Sequence, residues 1–207
     1  MRIANVYCLT LSQPPKPMTF TTHNRAWRIS IFALLALANC RALGAVGDIH
    51  PLAEGSPVSF CQLVVTAVWA DVFYAQKLDR SWAVGVTSSA DVQPGDVVNV
   101  SGIPVKTSEE LRITLATVTV VKHCKPPKPL QMKPYYVGAK DFGPISHSPR
   151  GLYNLDLLIE VYGEVAEVKD SQFLLKYGAY SCWVDARRIE TPPIGRRVLV
   201  TGISGLC

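Results

Sequence analysis

The first 45 residues contain no aspartate or glutamate, and beyond them no histidine falls inside a segment that reads as a strand. The chain has no CxxC pair and no GxSxG turn, and past its leader no window longer than about ten residues carries a helical period. Each absence removes a class of function. Without a histidine among the strands, neither a serine nor a cysteine nucleophile has a base beside it. "TGISG", which holds Ser204, has the wrong glycine spacing and no strand-turn-helix context. Asp71, Asp79 and Asp96 fall in turns, where aspartate is common for its local hydrogen bonds. The expectation is a protein that is not an enzyme and uses no cofactor. A metal site at His123-Cys124 lacks the paired spacing that zinc ligands show, so no metal is expected either.

Charge is placed unevenly. Lys and Arg number 21 against 16 Asp and Glu, a net charge of +5. Arg2, Lys16, Arg25, Arg28 and Arg41 all lie in the first 45 residues, and the 16 basic residues beyond them match the 16 acidic ones. The excess belongs to the leader, so bulk charge gives no argument for a phosphate-rich partner.

That leader has the form of an export signal. Arg25 and Arg28 precede the apolar run Ile29 to Ala38, and Ala42-Leu43-Gly44 supplies small residues for cleavage after Gly44 or Ala45. The run falls short of the roughly 20 residues that span a bilayer, so no transmembrane segment is expected in the mature chain. Counted from Met18 the leader has ordinary proportions, which makes residues 1–17 an unusual extension. "LANC" resembles a lipoprotein box ending at Cys40, with Asn39 where a small residue belongs. The chain is therefore expected to be secreted or held in the cell envelope, with anchoring at Cys40 the lesser alternative. In an exported chain the four cysteines outside the leader suggest disulfides, here Cys61 with Cys124 and Cys182 with Cys207.

What is present is a repeat. Shifting the chain by 100 residues sets Val65 on Val165, Val68 on Val168, Phe73 on Phe173 and Val84 on Val184. Gly95 falls on Gly195, Val98 on Val198, Val100 on Val200, Gly102 on Gly202 and Ile103 on Ile203. This many apolar and glycine matches in one register indicate a duplicated module. Each copy reads as short strands rich in Val, Thr and aromatics, separated by turns such as Gln93-Pro94-Gly95-Asp96. In the last strand of the first copy Leu111, Ile113, Leu115, Thr117 and Thr119 are expected to share one face.

The organisation predicted is a leader over 1–45, a first barrel over 57–123, a Pro/Gly-rich linker over 124–156 and a second barrel over 157–207. Five strands of this length suit a small closed barrel, because closure removes vulnerable edges. "KPPKP" in the linker is read as an extended spacer, while Tyr135-Tyr136 and Asp141-Phe142-Gly143 are expected to pack back on the domains. The second copy stops about one strand short. Its gap calls for a truncated chain, the favoured account, or for another segment or molecule to fill the place.

The stretches Val65 to Ile103 and Leu157 to Cys207, with "VQPGDVVNVSG" and "PPIGRRVLVTGIS", resemble the tandem OB-fold repeats of exported bacterial proteins of unknown function. The resemblance covers nearly all of the mature chain. It implies an all-β fold of two five-stranded OB-like Greek-key barrels, the second lacking its last strand, preceded by a helical signal segment. It also implies a noncatalytic module whose second and third strands bind single-stranded nucleic acid or oligosaccharide. The alternative is a structural or adhesion repeat of the cell surface that contacts protein.

Alternation suggests where such a ligand would lie. Tyr74 and Gln76 are expected to face outward with Lys77 and Arg80 nearby, and Trp183 to face outward with Lys176, Arg187 and Arg188. Aromatics beside basic residues form the stacking platform that single strands need. An outward aromatic is often covered by the linker or the partner repeat, and Arg-Arg pairs commonly sit on solvated turns, so packing is the favoured reading over a ligand face.

Overall fold

The computed structural model describes residues 4–8, 55–106, 111–138 and 154–206. The apolar run of the leader, Cys40, Asp141-Phe142-Gly143 and Cys207 lie outside these residues. The described chain is all-β. Its strands are β1 (Ala4–Cys8), β2 (Val58–Trp69), β3 (Val72–Gln76), β4 (Ala83–Thr87), β5 (Asp96–Lys106) and β6 (Leu111–His123). They continue as β7 (Leu130–Met132), β8 (Leu158–Lys169), β9 (Gln172–Tyr177), β10 (Tyr180–Asp185) and β11 (Arg197–Leu206), with one 3-10 turn over Pro134–Tyr136. Among the described residues no helix is long and apolar enough to cross a membrane.

β2 to β6 close into a barrel in the order β2-β3-β4-β6-β5. The pairing of β4 with β6 is parallel and the others are antiparallel. β-Branched and aromatic side chains line its interior, among them Val65, Phe73, Val84, Val98, Val100 and Ile113, because such residues fit a curled, pleated sheet. Trp82 closes one end against Phe60 at 5.0 Å between ring centroids.

The second sheet runs β11-β1-β10-β9-β8-β7, and β11 also pairs with β8. β1 therefore occupies the place that the sequence left without a strand. It runs parallel to β10 and antiparallel to β11, as β6 does between β4 and β5. Val6 lies opposite Ser204 where Ile113 lies opposite Pro104, and both Val6 and Ile113 are fully buried. A segment read as an extension of the leader thus supplies the strand.

The 100-residue offset survives in detail at the first hairpin of each copy. Val65 pairs with Ala75 and Val165 with Leu175, and each strand is bulged two residues later, before Ala67 and Glu167. Gly95 and Gly195 turn with positive φ and donate their N–H to the carbonyls of Val65 and Val165, both at 2.8 Å. The offset fails at the third strand. Ala75 faces Val84, whereas Leu175 faces Cys182, so Val184 stands where Val86 stands in the first copy. The shorter turn at Gly178 removes two residues and keeps the same side chains inside.

Two expectations need correction. Leu111 and Ile113 face the core, but Leu115 is 82% exposed and Ala116 and Val118 turn inward instead. A register shift between Ser101 and Ile103, with Leu115 at φ +49°, inserts a residue and inverts the alternation beyond it. Cys124 and Cys182 both carry free thiols, so neither Cys61–Cys124 nor Cys182–Cys207 is formed. Cys182 points into the apolar interior opposite Leu175, and burial pushes its thiol up to about 12.

A glycine in each copy lets the last strand approach. A Cβ on Gly102 would lie 2.6 Å from Ile113 Cγ2 and 2.7 Å from the Thr114 carbonyl, and one on Gly202 would lie 2.4 Å from the Tyr7 carbonyl. Gly202→Ala is expected to lower stability by about 1–3 kcal/mol, the usual cost of overpacking, as read by urea denaturation. The Cys182 thiol adds a pH dependence. Because its folded pKa lies above the unfolded value, stability holds below pH 9 and falls as pH rises from 9 towards 12. A Cys182→Ala variant should lose that alkaline component of the denaturation profile.

Candidate functional site

The outward face of the first hairpin is apolar: Ala67 and Trp69 on β2, and Val72 and Tyr74 on β3. At the matching positions the second copy carries Glu167, Lys169, Gln172 and Leu174. A curled sheet keeps its solvent face polar unless something covers it. Leu158 and Ile203 of the second sheet cover it here, with Tyr7 packed alongside. Trp69 stacks edge-to-face on Tyr74 at 4.8 Å and on Tyr7 at 5.7 Å. Gln76 Oε1 accepts the Leu158 N–H at 3.1 Å, which ties the two halves by a buried hydrogen bond.

Where this seam opens, Tyr7, Trp69, Asp185, Arg187 and Arg188 line a cavity of about 320 Å³. Arg188 holds its guanidinium over the Trp69 ring at 5.6 Å. Arg187 is committed to Asp185, donating from Nε at 3.0 and 2.8 Å and from a terminal nitrogen at 2.6 Å. The buried Asp185 carboxylate also accepts the Arg187 backbone N–H at 3.1 Å. The cavity thus offers two aromatic rings, an ion pair whose charges cancel, and one further guanidinium. It is at the small end of the range for ligand sites, about 300–1,000 Å³, enough for one ring-bearing group.

Arg187 and Arg188, read from sequence as ligand residues, meet at this cavity. Tyr74 and Gln76 do face out of the first barrel, but the second sheet buries both, leaving Tyr74 1% and Gln76 0% exposed. Neither can touch a ligand, because the face that alternation assigns to solvent is the seam. Lys77 sits over Trp82 at 5.6 Å within its own turn, and Arg80 donates to the Lys128 carbonyl at 2.9 Å, which fastens the start of the linker. Lys176 is exposed opposite Glu164. Trp183 is half-buried on the outward row of β10 that leads to Asp185, outside the cavity's lining.

Trp69 and Tyr7 were not singled out from the sequence. A signal existed for Trp69: its hairpin places four apolar residues on the supposed solvent face while its twin places three polar ones there. Nothing local marks Tyr7, which reaches the site through long-range strand pairing.

The linker packs on the second sheet. Leu130–Met132 runs parallel to β8 and Tyr135 stacks on Tyr180 at 4.7 Å. Ser204 is buried, its hydroxyl donating to Asn154 Oδ1 at 2.8 Å and accepting the Gly138 N–H at 3.1 Å. His123 Nδ1 pairs with Asp96 Oδ1 at 2.8 Å. Among the described residues no cluster of three or more His, Cys, Asp or Glu is placed to hold a metal ion.

Comparison with protein-family models, curated proteins and solved structures finds no match to this chain.

Gln76→Ala removes the acceptor for a buried backbone N–H and is expected to cost about 1–3 kcal/mol, read by urea denaturation, whereas Lys176→Ala should change stability by under about 0.5 kcal/mol.

Proposed function

We propose that this protein is an exported, noncatalytic binding module of two OB-like barrels that takes single-stranded nucleic acid at the seam cavity. One base stacks against Trp69 and a backbone phosphate meets Arg188. The observation that carries the reading is the Arg188 guanidinium held over the Trp69 ring on the wall of a ligand-sized cavity. The strand order supports the barrel class: the closed ring with one parallel pairing in the first copy, and the same pairings around β1 in the second, are those of an OB-fold. Four of the five lining residues lie beyond the expected cleavage point. The single free guanidinium agrees with the charge balance outside the leader, so base stacking carries more of the affinity than phosphate contacts do.

The Asp185–Arg187 pair favours a second ligand class at the same place. A carboxylate repels phosphate and accepts hydroxyls, so an oligosaccharide stacked on Trp69 would use that pair. The structural or adhesion reading draws instead on the exposed Tyr162, Tyr177 and Leu199 of the second sheet.

The test is a fluorescence-anisotropy titration of the full chain with a labelled single-stranded oligonucleotide at two salt concentrations. Trp69→Ala is expected to weaken binding by about 1–3 kcal/mol, the value of one stacked base. Arg188→Ala should shrink the salt slope by about 0.7. Absence of binding at low salt would overturn the nucleic-acid reading and leave oligosaccharide, tested by the same titration with labelled glycans.

A further inference from the structure

Along the backbone, β1 reaches the remainder of its sheet through residues 9–54, and the expected cleavage after Gly44 or Ala45 falls within that connection. In a molecule cut there, the backbone no longer holds Ala4–Cys8 to the rest of the sheet. Yet the slot is shaped for a strand. Three register pairs hold β1 to β10 and five hold it to β11. Val6 drops into the core beside Leu157, Ile159 and Val184. Gly202 has no side chain where the Tyr7 carbonyl passes, and a Cβ on Gly205 would lie 2.5 Å from the Tyr7 ring. An empty slot would leave two facing rows of main-chain donors and acceptors beside an apolar trough, the arrangement that recruits an extended peptide by strand addition.

We propose that the gap between β10 and β11 is a strand-acceptor site. In a chain cut between β1 and β2 it takes an extended peptide in trans, parallel to β10, with a β-branched side chain at the position of Val6 and an aromatic one at that of Tyr7. The partner is defined by main-chain pairing and by one buried apolar anchor, so this inference stands independently of the ligand at the cavity. It gives processing a structural consequence, because removal of the leader exchanges an internal strand for an external one. It also places the incoming strand where Tyr7 walls the cavity.

The experiment uses the full chain carrying a protease site between residues 20 and 45, cut after folding and then freed of its own N-terminal fragment under reducing conditions. A fluorescently labelled peptide of residues 1–10, with Cys8→Ser to prevent disulfide capture, is added and followed by anisotropy and size-exclusion chromatography. The expected result is saturable uptake of one peptide per cut chain, at least tenfold weaker uptake of the Val6→Asp peptide, and no uptake by the uncut chain. No uptake by the cut chain overturns the proposal, whether or not its second barrel stays folded. Equal uptake of the two peptides also overturns it, since the core anchor would then play no part.

Discussion

The arrangement depends on one buried seam, in which the outward face of the first hairpin meets the second sheet. Tyr74 and Trp69 bring large apolar area to it, Leu158 and Ile203 receive them, and the Gln76–Leu158 hydrogen bond fixes how far one half can slide on the other. Apolar burial has little directional preference, so a polar contact such as this one helps to set the register. From that register follow the position of Trp69 under Arg188 and the cavity between them. The copies differ at this face because only one of them has to be covered.

The second dependence is the glycine shared by both copies. Gly102 and Gly202 stand where the last strand crosses most closely, and each has the next strand's backbone against it. The residues filling that strand differ completely, Leu111–His123 in the closed barrel and Ala4–Cys8 in the second sheet. What the two places share is therefore the glycine and the buried apolar residue against it, Ile113 in one and Val6 in the other.

Much of the fold was readable from residues. Val-rich segments marked the strands, and Gly95 and Gly195 marked the turns. What was not readable has a common cause. A period of two tells which side chains lie on the same face but not what that face meets, so Tyr74 and Gln76 carried the same signature as ligand contacts while serving as packing. Leu115 broke its own pattern because a bulge adds a residue without altering composition. β1 escaped because strand pairing over some two hundred residues leaves no local trace, and Tyr7 escaped with it. Arg187 and Arg188 stood out because a charged pair just after a strand is visible locally, although the Arg187 partner, Asp185, decides which of the two charges lines the cavity unpaired by a carboxylate.

The β9–β10 hairpin is two residues shorter in register than the β3–β4 hairpin, with Leu175 facing Cys182 where Ala75 faces Val84, yet both sheets keep their interiors. Loss of a single residue would have exchanged inside for outside along β10, putting Trp183 into the core and Val184 into water. A change of hairpin length between these two sheets is thus quantised: hairpins can lengthen or shorten in pairs, and odd changes survive only where a bulge absorbs them. The sequences of such repeats should accordingly lose alignment in steps of two long before they lose a common shape.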